Sequence, residues 1–374
     1  MHLVDVTMLH GPAVGGVSRY LSTKYRWLQD NTRVRHSQLM ANATPGRGED
    51  GEILLAGRRL PGCGELLWPM EARRWIDTIA GLEPDVIEAN DIGTSAWFAL
   101  AAARKLDVPL VAFAHVDLVR FARERRGALA ERVLVAYSRA FYERADVVVA
   151  PSEYMRQRLA GWGIERALVR HLGVDATRFH PRHRTATLRG RLGLAPGTRL
   201  LIYVGRFSAE KRIDVLLDAM RQLRGRYHLL LVGGGETPPL PANVTRLPFV
   251  ANTTVLAELI ASADALVHAG DVETFGLVYL EAMACARPVV AVDAGAASEV
   301  VAANCGVLAR PGNAASLAAA VDALYDRDLD ALGANARRRV EDHFTLDLSM
   351  HRLLTLYRTA MAAPLSGVPA LVAT

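Results

Sequence analysis

Residues 262–292 read SADALVHAGDVETFGLVYLEAMACARPVVAV. The apolar run Ala265–His268 has the length and composition of a buried strand. A loop bearing Glu273 follows, and Thr274-Phe275-Gly276-Leu277 leads into a helix that carries Glu281. A second β-rich run, Val289–Val292, closes the segment. Strand, helix and strand in this order make a βαβ unit of a parallel sheet. The same alternation extends outward. Strands are expected at Leu200–Val204 and Tyr227–Val232, and between them Ile213, Leu216, Leu217 and Met220 fall on one helical face. In the first half, strands are expected at Leu3–Met8, Asp85–Ala89, Leu110–Ala114 and Val147–Ala150, with helices around Val17–Leu28, Ala72–Ala80 and Trp97–Lys105.

The chain has 374 residues, enough for two or three domains. The stretch 180–197, HPRHRTATLRGRLGLAPG, is polar, basic and closed by Pro196-Gly197, and reads as a connection. This places an N-terminal domain at 1–185 and a second at 186–349. Both would be α/β and Rossmann-like with parallel sheets, leaving a ligand cleft at the carboxyl ends of their strands. Hydrophobic residues make up 51% and charged ones 22%, a globular mixture. Apolar runs such as Trp97–Ala103 fall well short of the roughly 18 residues of a membrane span. No secretory signal is visible at the start, and Cys63, Cys285 and Cys305 have no C-x-x-C spacing. A cytoplasmic protein without a disulfide framework or structural zinc is expected. The net charge of +5 sits entirely in the first half, with 26 Lys+Arg against 21 Asp+Glu up to residue 185. That excess is modest, aromatics are only 6%, and no basic–aromatic stripe appears, so nucleic acid is not an expected partner.

Candidate chemistry gathers at strand ends. Gly15-Gly16 lies between the first strand and a helix, where paired glycines serve either a tight turn or close approach to an anion at the helix amino terminus. After Gly205, Arg206 and Lys211 bracket a turn into a helix. They could neutralise a diphosphate, or simply pair with Glu210 on a solvated helix start. Lys211 is one of three lysines among 44 basic residues, in a composition that would otherwise favour Arg. Glu273 and Glu281 could both face one cleft and accept from sugar hydroxyls, with the amides of Phe275 to Leu277 beside them for a phosphate; Glu273 could equally complement a helix dipole. His115 ends the strand VPLVAFAH, as a substrate contact or as a satisfied structural histidine. Asp326, Asp328 and Asp330 alternate in a polar connection with no His nearby, and no metal is expected there.

Taken together the segments resemble a known pattern. GGVSRYL (15–21), the strand-end His115, APSEYMRQRLAGWGI (150–164), HLGVDATRFHP (171–181), YVGRFSAEKRID (203–214), LLVGGGE (230–236), residues 262–290 and GAASEVV (295–301) follow in order the motifs of the retaining glycosyltransferases of family four. The resemblance implies a GT-B fold of two facing Rossmann-like domains, closure of the domains over the donor, and a donor that is a nucleotide diphosphate sugar. HAGDVETFGL is similar to bacterial GDP-mannose-dependent α-mannosyltransferases. It implies that Gly16 lends its amide to the diphosphate while Arg206 and Lys211 neutralise it. Glu273 would hold hydroxyls of the transferred sugar, supported by the amides of Phe275, Gly276 and Leu277. Glu281 would bind the ribose, Val250 and the loop at Gly234 would flank the base, and His115 would contact the donor sugar. No metal or other cofactor is implied. HFTLDLSMHRLLTLYRTAMA (343–362) resembles the helix that crosses back to complete the first domain, which would then take in about 350–374. Ala286 and Arg287 stand where the family usually has a Gly before Pro288, and Gly295-Ala296-Ala297 replaces its glycine pair.

The implied acceptor is a glycan or glycolipid. RFARERRGALAERV (120–133) is either a solvated helix or a face for an anionic membrane surface. Two other classes fit the fold: a sugar-nucleotide epimerase, which would need placed acids and bases, and a non-catalytic nucleotide-sugar binder, which would tolerate losing Arg206, Lys211 and Glu273. The sequence keeps all three.

Overall fold

The computed structural model describes residues 1–9, 11, 15–59, 66–223 and 225–363, without the side chains of Phe121, Glu124 and Arg125. Cys63 and the end of the 350–374 segment lie outside the described residues. The chain forms two compact units, Met1–Arg170 together with the chain from Met350, and His171–Ser349. Residues 171–185 therefore pack with the second unit, where Leu172, Val174 and Phe179 are buried and Val174 bridges Thr345. The polar stretch 180–197 lies inside that unit rather than between the two.

The first unit contains β1 (His2–Thr7), α1 (Gly16–Asn31), β2 (Arg35–Asn42), β3 (Gly46–Arg47), β4 (Glu52–Arg59), β5 (Leu67–Pro69), α2 (Ala72–Gly81), β6 (Val86–Ala89), α3 (Thr94–Leu106), β7 (Leu110–Phe113), α4 (Leu118–Tyr142), β8 (Val147–Ala150), α5 (Glu153–Gly161) and β9 (Leu168–Val169). Its strands run β3-β4-β2-β1-β6-β7-β8-β9, and β5 pairs with β4. Every pairing is parallel except those of β3 and β5 with β4. All residues of β1, β6, β7 and β8 are buried, as a parallel sheet covered on both faces requires. Trp75 and Ile79 from α2, Ala96, Ala99 and Ala103 from α3, and Phe141 from α4 pack into one core with Val4, Ile87 and Val148.

The second unit contains α6 (Thr187–Arg191), β10 (Arg199–Val204), α7 (Ile213–Gln222), β11 (Tyr227–Val232), β12 (Val244–Leu247), α8 (Thr253–Ser262), β13 (Ala265–Val267), α9 (Leu277–Ala284), β14 (Val289–Val292), α10 (Ala297–Val300), β15 (Gly306–Ala309), α11 (Ala314–Tyr325) and α12 (Leu329–His343). Six parallel strands run β12-β11-β10-β13-β14-β15. The α7 face read from the sequence is buried as Ile213, Leu216, Leu217 and Met220. A last helix, α13 (Leu346–Ala362), brings the chain back to the first unit, where Leu353, Leu354, Leu356, Tyr357 and Ala360 are buried.

Strands β2, β4, β12 and β15 were not legible in the sequence. In β2 the buried positions include His36 and Gln38, whose polarity hides the strand from any reading based on apolar runs. The edge strand β12, VTRL, has a single fully buried residue, Val244.

Candidate active site

In the second unit the strand order reverses between β10 and β13, the place where doubly wound sheets bind ligands beyond their strand ends. The loop after β10 is held by main chain. Gly205 N donates to Val232 O at 3.0 Å and Phe207 N to Gly234 O at 2.7 Å, while Phe207 and Gly235 form a β-bridge. Gly233, at φ 150°, lies so close to the Gly205 carbonyl that any Cβ would collide with it. The tight apposition of these two loops thus requires glycine and sets the course of Gly205 and Gly234.

The side chains on this frame are charged. Glu210 accepts from Arg206 at 3.2 Å and from Ser208 Oγ at 2.6 Å, while the Arg206 side chain remains 47% exposed. Lys211 closes a one-turn 3-10 helix, Ala209–Lys211, and its Nζ pairs with Glu273 Oε1. From the loop after β13, His268 places Nε2 3.3 Å from the same oxygen. Burial pushes the Glu273 carboxyl up, but Lys211 and His268 outweigh it and hold the group below its ordinary value. For His268 burial wins and lowers the ring to about 4, so it is neutral. Phe275 and Gly276 lead into α9, whose first amides have no partners within the helix. Glu281 is buried inside α9, and Val250 is half-buried on the loop between β12 and α8.

The first unit has its own reversal, between β1 and β6. Gly15, at φ 68°, precedes α1 and Gly16 is its first residue. His115, just past β7, is buried, stacks on Phe113 at 4.0 Å and places Nε2 2.9 Å from Asn90 Oδ1. Burial, reinforced by the charge of Lys24, lowers its pKa to about 3. Lys24 itself is 1% exposed and bonds Asp5 at 2.9 Å and Glu88 at 2.8 Å. The carboxylates divide. Lys24 and His36 overcome burial to hold Asp5 down, whereas burial and the neighbouring Asp5 push Glu88 up. Tyr357 of α13 donates to Glu88.

The structure therefore pairs Lys211 with Glu273, within reach of the Arg206 charge, and carries Gly205, Gly234, the start of α9 and Glu281 in the same second unit. Gly15, Gly16 and His115 lie in the first. Sequence reading missed the approach of His268 to Glu273, although His268 ends the strand in the very segment that carries Glu273. It also missed the Lys24 cluster, which the scarcity of lysine could have flagged. Asp117 serves the fold, since it caps α4 through Arg120 N and pairs with Arg158 at 2.8 Å. Asp328 caps α12.

The family model described as Glycosyltransferase Family 4 matches residues 14–178, and that described as Glycosyl transferases group 1 matches 198–327. The chain is similar to proteins named GDP-mannose-dependent alpha-mannosyltransferase. It is 31% identical to the one from Mycobacterium tuberculosis over 308 residues, 78% of either chain. To that from Mycolicibacterium smegmatis it is 34% identical over 303 residues, covering 78% of this chain and 79% of the relative. Among solved structures, Anabaena HepE in complex with UDP and glucose superimposes with a TM-score of 0.77 at 21% identity, covering 96% of this chain and all of that one. At that identity the likeness shows the fold, which is that of the GT-B glycosyltransferases.

Proposed function

The chain belongs to glycosyltransferase family four, and from that premise we propose that it moves an α-mannosyl group from GDP-mannose to a glycan or glycolipid, with retention and without a metal. The observation that carries this reading is the meeting of Arg206, Lys211 and Glu273 at the strand reversal of the second unit. Two cations there offset the charge that develops on a departing diphosphate, while the carboxylate accepts from sugar hydroxyls. The amides of Phe275, Gly276 and Leu277 support the sugar and phosphate, Glu281 binds the ribose, and Val250 with the Gly234 loop flanks the base. Gly16 offers its amide to the diphosphate. His115, held neutral by burial, contacts the donor sugar as a hydrogen-bonding group rather than a cation.

In the reaction the bond from the sugar anomeric carbon to the phosphate oxygen breaks as the acceptor oxygen bonds to the same face. The acceptor proton passes to the departing phosphate, so no protein base is required. The names of the mycobacterial relatives favour GDP-mannose. A UDP-sugar is the second reading, favoured by the UDP and glucose of the HepE complex.

Thermal-shift measurements with GDP, UDP, ADP and their common sugars test the donor. A ligand at about 100 times its dissociation constant stabilises by roughly 2.7 kcal/mol. Selective stabilisation by GDP and GDP-mannose is expected; selectivity for UDP replaces mannose by the second reading, and no response to any nucleotide refutes the donor site.

Among the described residues no helix is long and apolar enough to cross a membrane. Past the break at Gly127 (φ 79°), helix α4 nevertheless exposes Leu129 (74%) and Val133 (63%) one turn apart, with exposed Arg132 beside them. This combination suits peripheral contact with an anionic lipid surface, such as the inner face of a cytoplasmic membrane. Sedimentation with phosphatidylglycerol vesicles, lost in Leu129→Asp and absent with phosphatidylcholine, is the expected outcome.

A further inference from the structure

Glu273 has two carboxylate oxygens, and both of its described partners use one of them. Lys211 Nζ and His268 Nε2 converge on Oε1. The other nitrogen of His268, Nδ1, receives the backbone N–H of Gly270 at 3.1 Å, and the Tyr279 hydroxyl lies 3.3 Å from it. A backbone amide can only donate, so Nδ1 is an acceptor and the proton of the neutral ring sits on Nε2, facing Glu273. The ring cannot readily turn. It is 1% exposed, stacks on Tyr203 with centroids 5.2 Å apart and meets Tyr279 edge-on at 5.4 Å. Its own backbone N–H is bonded to Val290 O at 2.9 Å.

We propose that His268 is a positioning residue for sugar recognition: its fixed Nε2–H holds Oε1 of Glu273 and leaves Oε2 to accept from a donor-sugar hydroxyl. The proposal rests on the reading of Glu273 as the sugar-binding carboxylate. It also resolves a conflict of roles at Lys211, whose charge serves Glu273 in the unliganded protein and a diphosphate in the donor complex. When Lys211 turns to phosphate, a second donor that does not move keeps Glu273 in place. A neutral imidazole suits this role because it adds no charge to compete with Lys211 for the diphosphate.

The test is calorimetry on the full chain with two probe pairs, GDP-mannose against GDP and UDP-glucose against UDP, following the pair that binds. The readout is the ratio by which the sugar tightens binding over the bare nucleoside diphosphate. His268→Asn keeps an acceptor near Nδ1 but has no donor at the Nε2 place, whereas the longer His268→Gln puts an amide N–H there. Losing one polar contact that acts only on the sugar should cut the ratio about fivefold in His268→Asn, with nucleoside diphosphate affinity unchanged, and His268→Gln should restore it. The proposal is overturned if His268→Asn keeps the ratio, or if both variants lose nucleoside diphosphate and sugar nucleotide affinity in equal measure. Glu273→Gln separates the two levels. If it too leaves the ratio unchanged, the sugar-binding assignment of Glu273 fails and this proposal with it. If only Glu273→Gln lowers the ratio, the positioning role alone is wrong. Long-range 1H–15N spectra of the folded chain, with His268→Gln identifying the resonance, read the tautomer independently of binding; an Nδ1–H ring would refute the assignment even if the variants fail to fold.

Discussion

At the scale of single residues, the site is a set of buried or half-buried polar groups whose charge states burial and neighbours decide. Lys211 is 20% exposed and already paired with Glu273, so its ammonium is oriented before any donor arrives. Lys211→Ala should lower kcat on the order of 10²-fold or more, by analogy with other preorganised electrostatic groups, in a variant whose unfolding temperature is close to that of the parent. Unchanged turnover in a folded variant would refute the role given to it. The histidines make a pH prediction. His115 has its folded pKa lowered to about 3 from an ordinary value of 6.5. The unfolded chain therefore takes up a proton between pH 7 and pH 5 that the folded chain refuses, and stability present above pH 6.5 is lost as the pH falls. This one group should cost about 2 kcal/mol between pH 7 and pH 5. Glu88, pushed up to about 6, acts in the opposite sense because its folded form binds the proton first. The informative comparison is thus His115→Gln against the parent in denaturant unfolding at both pH values. A shallower loss of stability is expected in the variant, and identical slopes would contradict a buried neutral His115.

At the scale of elements, the departures from the family pattern have local consequences. Ala286 follows the end of α9 at φ 53°, in the left-handed region that glycine enters freely and alanine does not. Ala286→Gly should raise stability by about 1 kcal/mol, read as a higher denaturation midpoint, since the left-handed conformation costs an L-residue roughly 1–2 kcal/mol. A lower midpoint would show that the unfolded-chain entropy of glycine wins. At the neighbouring departure only the glycine itself is indispensable. Gly295 (φ 61°) lies against the Glu273 backbone, where a Cβ would strike the Glu273 carbonyl that Ala296 N engages at 2.9 Å. The alanines after it leave that close approach intact.

At the scale of the molecule, each unit is a doubly wound sheet with candidate residues at its own strand reversal. The first unit is completed by chain that returns from beyond the second. Tyr357 of α13 donates to Glu88, and beside Glu88 lie Lys24 and Asp5, so a buried polar cluster joins the two ends of the sequence. Tyr357→Phe should destabilise by about 1–3 kcal/mol, because it leaves a buried carboxylate oxygen without its donor. Thermal unfolding measures this; an unchanged midpoint would mean that Leu353, Leu356 and their apolar neighbours hold α13 unaided.

The alternation of apolar runs and helical faces was enough to read the α/β class, because Val147–Ala150 or Ile213–Met220 carry their periodicity in adjacent residues. Gly16, His115, Lys211 and Glu273 could be picked out as candidates for a related reason: each stands past the carboxyl end of a strand, and the fold puts ligands at those points. Strand β2 was hidden because its buried His36 and Gln38 take hydrogen-bond partners distant in sequence, Asp5 for His36 Nε2 and the Asp50 carbonyl for Gln38 Nε2. The partners of Lys24, the choice of Oε1 over Oε2 on Glu273 and the tautomer of His268 were likewise undetermined. Composition and spacing name the groups that can donate and accept; which atom meets which depends on the packing of strands and loops that only the folded chain brings into register.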